Sequence, residues 1–173
     1  MTAAAVHIPT LSTARLTLRP HVMADFPAYA AFYASDRAQW MGGPLDRRGA
    51  WNSFASDVAQ WALMGHGAFA IEDRESGAFL GQVAVAHPPH FPERELGWFV
   101  LPDAEGRGIA AEAAVAARDW CRDALPGAPL VSYIARQNAA SIRLAERLGA
   151  RPDPDAPVPH PNDSAWRHPE PLQ

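Results

Sequence analysis

ELGWFVLPDAEGRGIAAEAA, Glu95 to Ala114, decides the fold. An apolar run passes through a Pro-Asp turn into two closely spaced glycines and then straight into an alanine-rich stretch, which reads as strand, turn, helix. Gly106 and Gly108 remove side chains where the backbone has to come close to something. They also leave unpaired N–H groups at a helix start, where the dipole favours an anion such as a pyrophosphate. A glycine pair alone also suits a plain turn. Gly106-x-Gly108-x-x-Ala111 fits the dinucleotide fingerprint as well. That reading expects an acid near the end of the next strand, but Ile134-Ala135-Arg136-Gln137 carries none, and no repeated βαβ units follow. A P-loop is excluded, because no GK[ST] is present.

The rest of the composition narrows the chemistry. The chain has 173 residues, 48% hydrophobic and 20% charged, which suits one soluble domain with a sizeable core. The formal charge of −4 gives no broad case for nucleic acid or an anionic membrane. Every basic residue other than His is Arg, so a Lys base or Schiff base is excluded. Together with the abundance of Ala and Pro, this points to a GC-rich, bacterial genome. Cys121 is the sole cysteine; it excludes an intramolecular disulfide and a multi-Cys zinc site, fits a reducing cytoplasm, and reads as buried filler. The seven His residues show no zinc-enzyme spacing, so no metal is expected. MTAAAVHIPTLSTARL does not read as a secretory signal, and no apolar run approaches the ~20 residues of a membrane span.

Working outward, Thr13–Arg19 alternates as a strand and Ala24–Ser35 is a helix candidate. A second helix runs from Asp46 or Arg47 to Met64, with Trp51, Phe54, Val58 and Trp61 at helical spacing. Gly67–Asp73 and Phe79–Val85 form an expected hairpin, followed by the Glu95–Leu101 strand and the Gly108–Ala124 helix. Ile109, Ala113, Ala116, Ala117 and Trp120 or Cys121 form that helix's inner face. Leu130–Arg136 is a strand, Asn138–Leu148 a helix ended by Gly149, and SAWRH a last strand in a Pro- and His-rich tail. The order β-αα-βββ-α-β-α-β is that of one mixed α/β (α+β) domain over 1–173.

With these motifs in order, the chain resembles the GNAT superfamily of N-acetyltransferases, and within it the ribosomal-protein N-terminal acetyltransferase branch. The family's Q/R-x-x-G-x-G/A appears as Glu105-Gly106-Arg107-Gly108-Ile109-Ala110, followed by Ala111-Glu112-Ala113. Its second motif is met by Asn138, Ser141, Leu148 and Gly149. The opening TARLTLRPHVMADFPAYAAFY and the late WRHP match as well, so the likeness spans nearly the whole chain. It implies a mostly antiparallel mixed sheet flanked by about four helices and splayed between the Glu95–Leu101 and Leu130–Arg136 strands.

The resemblance also implies a site. Amides from Glu105 to Ala110 (Glu105, Gly106, Arg107, Gly108, Ile109, Ala110) would hold the pyrophosphate of acetyl-CoA. Main-chain groups of Phe99, Val100 and Leu101 border the slot, with those of Phe99 and Leu101 pairing with the pantetheine arm. Asn138 would bond that arm, and is also a favoured helix cap. Glu95, or Glu93 two residues earlier, would act as base for the acceptor amine. Ser141 would donate to the leaving sulfur, because the Tyr that many relatives use falls on Ala145. Glu105 departs from the usual Gln or Arg and sets a carboxylate beside phosphates, which Arg107 could offset. The acceptor is a protein N-terminus or a small amine, and Trp40 or Met41-Gly42-Gly43 is expected near it. Exposed edge strands allow a homodimer. The alternative is a degenerate fold that binds acyl-CoA as a sensor or interaction module.

Overall fold

The computed structural model describes residues 6–127 and 129–169. The alternation in TARLTLR is broken by a turn, so two strands replace the one expected: Leu11–Ser12 (β1) and Leu16–Arg19 (β2) pair as a short hairpin. Thr13 closes it, its hydroxyl oxygen accepting from the Leu16 N–H at 2.9 Å. Helix α1 covers Phe26–Tyr33, entered through a tight turn at Met23–Asp25. Helix α2, Arg47–Met64, starts where the Asp46 carboxylate accepts the Gly49 N–H at 2.7 Å and ends at Gly65 with φ +74°. Then come β3 (Ala68–Asp73), β4 (Phe79–Ala86), β5 (Arg94–Val100), α3 (Ile109–Ala124) and β6 (Leu130–Ala135). The chain closes with α4 (Ala139–Arg147), β7 (Arg151–Asp153) and β8 (Asp163–Arg167).

The eight strands form one open sheet in the order β1-β2-β3-β4-β5-β6-β8-β7. Each neighbouring pair is antiparallel except β5 and β6, which are joined by the α3 crossover. The period of two on β5 sorts its side chains. Leu96 enters the core that holds Leu16, Phe69, Val83 and the inner face of α3, where Ile109, Ala113, Ala117 and Cys121 are buried. Phe99, on the other face, joins Tyr29, Phe32, Tyr33 and Phe54 from α1 and α2, stacking on Phe32 at 4.2 Å between ring centroids. Burying each such side chain contributes about 1.5–3 kcal/mol. The α2 face is narrower than its spacing suggests: Phe54 and Trp61 are buried, but Trp51 is exposed. Both outer strands are short, and β7 carries Pro152, so the edges offer little for strand pairing between copies. Among the described residues, no helix is long and apolar enough to cross a membrane.

Candidate active site

The parallel pair β5 and β6 is bridged only at Arg94–Leu130 and Glu95–Val131 before the strands part. Ser132 sits at that fork. Its hydroxyl donates to the Leu96 carbonyl at 2.5 Å and meets His168 Nε2 at 2.9 Å. Burial, helped by Arg118 and Arg122, holds His168 down at about 4, so the ring is neutral at pH 7. Its Nε2–H therefore donates to the Ser132 oxygen, and the carbonyl released from the ladder is satisfied by a side chain.

The slot edge of β5 lies one residue out of step with the expectation. The Leu101 N–H donates to the Leu80 carbonyl at 2.7 Å. The β4–β5 register runs unbroken from Gly81–Val100 to Ala86–Glu95. Alternation along an antiparallel pair then turns the amides of Phe99 and Leu101 toward β4. Those of Trp98 and Val100 face the slot, as the Leu96 carbonyl does.

The glycine turn lies beside the slot. Gly106 and Gly108 have φ of +70° and +76°, in the left-handed region that other residues avoid. Gly108 is the N-cap of α3 and supplies no side-chain cap, whereas Asp46 and Asn138 cap α2 and α4. The first-turn N–H groups of α3 are thus left for a ligand. The Glu105 N–H is not among the free donors, because it bonds the Pro102 carbonyl at 3.2 Å; the open run begins at Gly106. The Glu105 carboxylate is held in an exposed ion pair with Arg37, also on the cleft wall, which takes the role expected of Arg107. Arg107 instead reaches the Asp103 carbonyl at 3.4 Å.

A cleft of about 1220 Å³ runs from this turn along the slot to α2. Its walls include Glu95, Trp98, Val100, Gly106, Asn138 and Ser141. Glu95 keeps part of its surface open to the cleft yet is surrounded by protein. Burial lifts its carboxyl to about 8 against the pull of the Tyr133 amide, and Asp163 and Asp57 push the same way. Glu93 differs: both its oxygens are held by Arg167, at 3.0 and 3.1 Å. Asn138 Oδ1 accepts the Ser141 N–H at 3.2 Å, so the capping role is filled and the amide nitrogen remains. Ser141 is half-buried on the same turn. Ala145 is fully buried against Ile134 and Trp166, so a Tyr there would have no room. Trp40, Met41 and Gly42 line the cleft; Gly43 does not.

A family model described as acetyltransferase (GNAT) domain matches residues 15–151. The chain belongs to the GNAT acetyltransferase family. An acetyltransferase from Agrobacterium tumefaciens str. C58 is 48% identical over 98% of this chain and 99% of its own, with a TM-score of 0.91. Two further structures share the fold at lower identity. A ribosomal-protein-S5-alanine acetyltransferase from Vibrio fischeri is 15% identical over 93% of this chain and 95% of its own, with a TM-score of 0.67. A ribosomal L7/L12 alpha-N-protein acetyltransferase, solved in complex with coenzyme A, is 13% identical over 92% and 96%, with a TM-score of 0.70.

Two features of this GNAT cleft go beyond what its motifs give: the partners of one motif residue, and a carboxylate outside the motifs. Glu112, in the first turn of α3, accepts from the Thr13 hydroxyl at 2.5 Å, the Arg15 N–H at 2.9 Å and Arg15 Nε at 2.7 Å. Arg15 also donates to the Arg107 carbonyl at 2.9 Å, so the first hairpin braces the glycine turn. The second is Asp57 on α2. Its Oδ2 accepts from the Tyr29 hydroxyl at 3.0 Å and Gln82 Nε2 at 2.9 Å. A signal was present: Ser53, Asp57 and Gln60 recur at i, i+4 and i+7, a polar stripe that faces the cleft.

Proposed function

We propose that the chain transfers acetyl from acetyl-CoA directly to an amine, the N-terminal amino group of a protein or peptide in first place and a small amine otherwise. One observation carries this reading: the β5–β6 fork opens beside the uncapped start of α3, with Glu95 at its root. In it, the amides from Gly106 to Ala110 hold the pyrophosphate, and Trp98 and Val100 offer main-chain partners to the pantetheine amides. The Asn138 side-chain nitrogen, unpaired among the described residues, bonds the arm near the thioester. Glu95 takes a proton from the acceptor ammonium, directly or through water. The neutral nitrogen then forms its bond to the acetyl carbon, the C–S bond breaks, and the sulfur keeps the electron pair. The nitrogen gives up its remaining surplus proton, directly or through water, to that sulfur, to which Ser141 donates a hydrogen bond, and CoA leaves as the thiol. The ribosomal-protein acetyltransferases that share the fold support the N-terminal acceptor by analogy alone.

Calorimetric titration with acetyl-CoA, followed by an assay of CoA release with amines and N-terminal peptides, tests the reading. Micromolar binding and acceptor-dependent release are expected. Binding without release for every acceptor would favour the sensor reading, and absence of binding would sink both. Ser141→Ala should lower kcat by about 10-fold or less, because a thiol with a pKa of about 8.5 leaves without strict help. Unchanged kcat would remove Ser141 from the chemistry.

A further inference from the structure

The α2 wall of the cleft holds a carboxylate that the reaction above does not use. Asp57 is built into a buried polar chain. Arg19 pairs with both oxygens of Asp25 at 2.8 and 2.9 Å, and Asp25 lies 3.4 Å from His21 Nδ1. His21 Nε2 meets Gln82 Oε1 at 2.9 Å. That carbonyl can only accept, so the ring donates, and the Gln82 amide nitrogen is turned to donate to Asp57. With the Tyr29 hydroxyl on the same oxygen, Oδ2 receives two hydrogen bonds. Oδ1 has no partner among the described residues, and Asp57 lines the cleft. Gln82, 5% exposed in the middle of an apolar strand, links His21 to Asp57 through the two ends of its amide.

Charge bookkeeping in the rest of the molecule sharpens the point. Asp25 and Glu72 share Arg19, Glu93 and Asp153 share Arg167, Glu112 holds Arg15, and Glu105 holds Arg37. Asp57 and Glu95, on two different elements of the same cleft, have no ion pair among the described residues. Asp163, a third wall carboxylate, has none either, and Arg136 and His160 only moderate it. Burial raises the Asp57 carboxyl, against the pull of Gln82, Tyr29 and His21. Ionising both carboxyls at once is therefore unfavourable until a ligand brings positive charge. One ammonium can meet Glu95, and the open Oδ1 of Asp57 offers an acceptor to a second cationic centre.

We propose that the acceptor is a dicationic amine, and that Asp57 binds its second positive centre while Glu95 takes the reacting ammonium. The proposal rests on the acetyltransferase reading of the cleft and specifies its substrate class. It also accounts for release: acetylation turns the ammonium into a neutral amide and sends a proton to Glu95, so the product keeps only the charge that faces Asp57. Two sources share this chemistry, a free diamine and a chain N-terminus followed by a basic residue.

The test compares matched acceptors at saturating acetyl-CoA: α,ω-diaminoalkanes against monoamines of equal length, and Ala-Arg peptides against Ala-Ala peptides. The dicationic member of at least one pair should have a kcat/KM about 10- to 100-fold higher, the range of a hydrogen bond to a charged group. The pair that shows it identifies the source. Asp57→Asn should abolish the preference through KM, leaving the acetyl-CoA affinity unchanged. Equal kcat/KM within both pairs in the wild type would overturn the proposal without any variant. So would an Asp57→Asn protein that melts as the wild type does but loses both members of a pair equally. If acetyl-CoA binds but no amine turns over, the catalytic reading has failed. Calorimetry of each pair on the acetyl-CoA complex then decides the dication preference by itself.

Discussion

Glu95→Gln is expected to lower kcat/KM by about 10²- to 10⁴-fold, the usual worth of a positioned base. The loss should come with a changed pH profile. The carboxyl sits at about 8 because burial disfavours its charged form, with Asp163 and Asp57 adding to the rise and the Tyr133 amide opposing it. Only the ionised carboxylate accepts a proton. The wild-type rate should therefore climb from pH 6.5 through about 8 and level off above it, and the Gln variant should lose that limb. Stability runs the other way. An unfolded Glu ionises at about 4.3, so between that value and about 8 the folded state binds the extra proton, and stability falls as pH rises. The Gln variant should thus melt no lower than the wild type at pH 8. A slow variant that is no less stable separates a functional carboxylate from a structural one. A variant that keeps both the rate and the rising limb would move the base elsewhere; Glu93 is a poor successor, since Arg167 occupies both its oxygens.

What could be read from the chain and what could not divides along sequence distance. The strand, glycine turn and helix of the slot lie within Glu95–Ala114, where local rules of turn, cap and period decide the outcome. The Asp46 start of α2 was legible for the same reason. The parity of the slot-facing amides was not. It follows from how β5 is registered on β4, and one residue of slip exchanges Phe99 and Leu101 for Trp98 and Val100. Glu112 was visible as part of a motif, but its partners Thr13 and Arg15 lie at the other end of the chain, and the turn they form was hidden inside an alternating run. Asp57 acquires meaning only once β4 places Gln82 under α2. Strand β7 is not legible in the sequence because three residues that include a proline carry no periodicity.

Gly108→Trp is expected to weaken acetyl-CoA binding by more than about 100-fold, and Gly108→Ala separates the two reasons it could do so. The first reason is the backbone. At φ +76° any side chain is strained, costing about 1–2 kcal/mol. For a chain of this size that is a melting point lower by about 2–4 °C per kcal/mol. The second is occupancy. A methyl at this position meets only an Arg15 nitrogen, at 3.5 Å, an ordinary contact. The alanine therefore fits and incurs the strain alone. It should melt a few degrees lower and bind acetyl-CoA with most of the wild-type affinity. The indole incurs the same strain and adds a large ring in front of the α3 amides, where a pyrophosphate would lie. Calorimetry of the three proteins reads the difference. Equal losses in both variants would assign the effect to distortion of the turn braced by Arg15 and Glu112. Wild-type affinity in the tryptophan variant would place the pyrophosphate somewhere other than the start of α3.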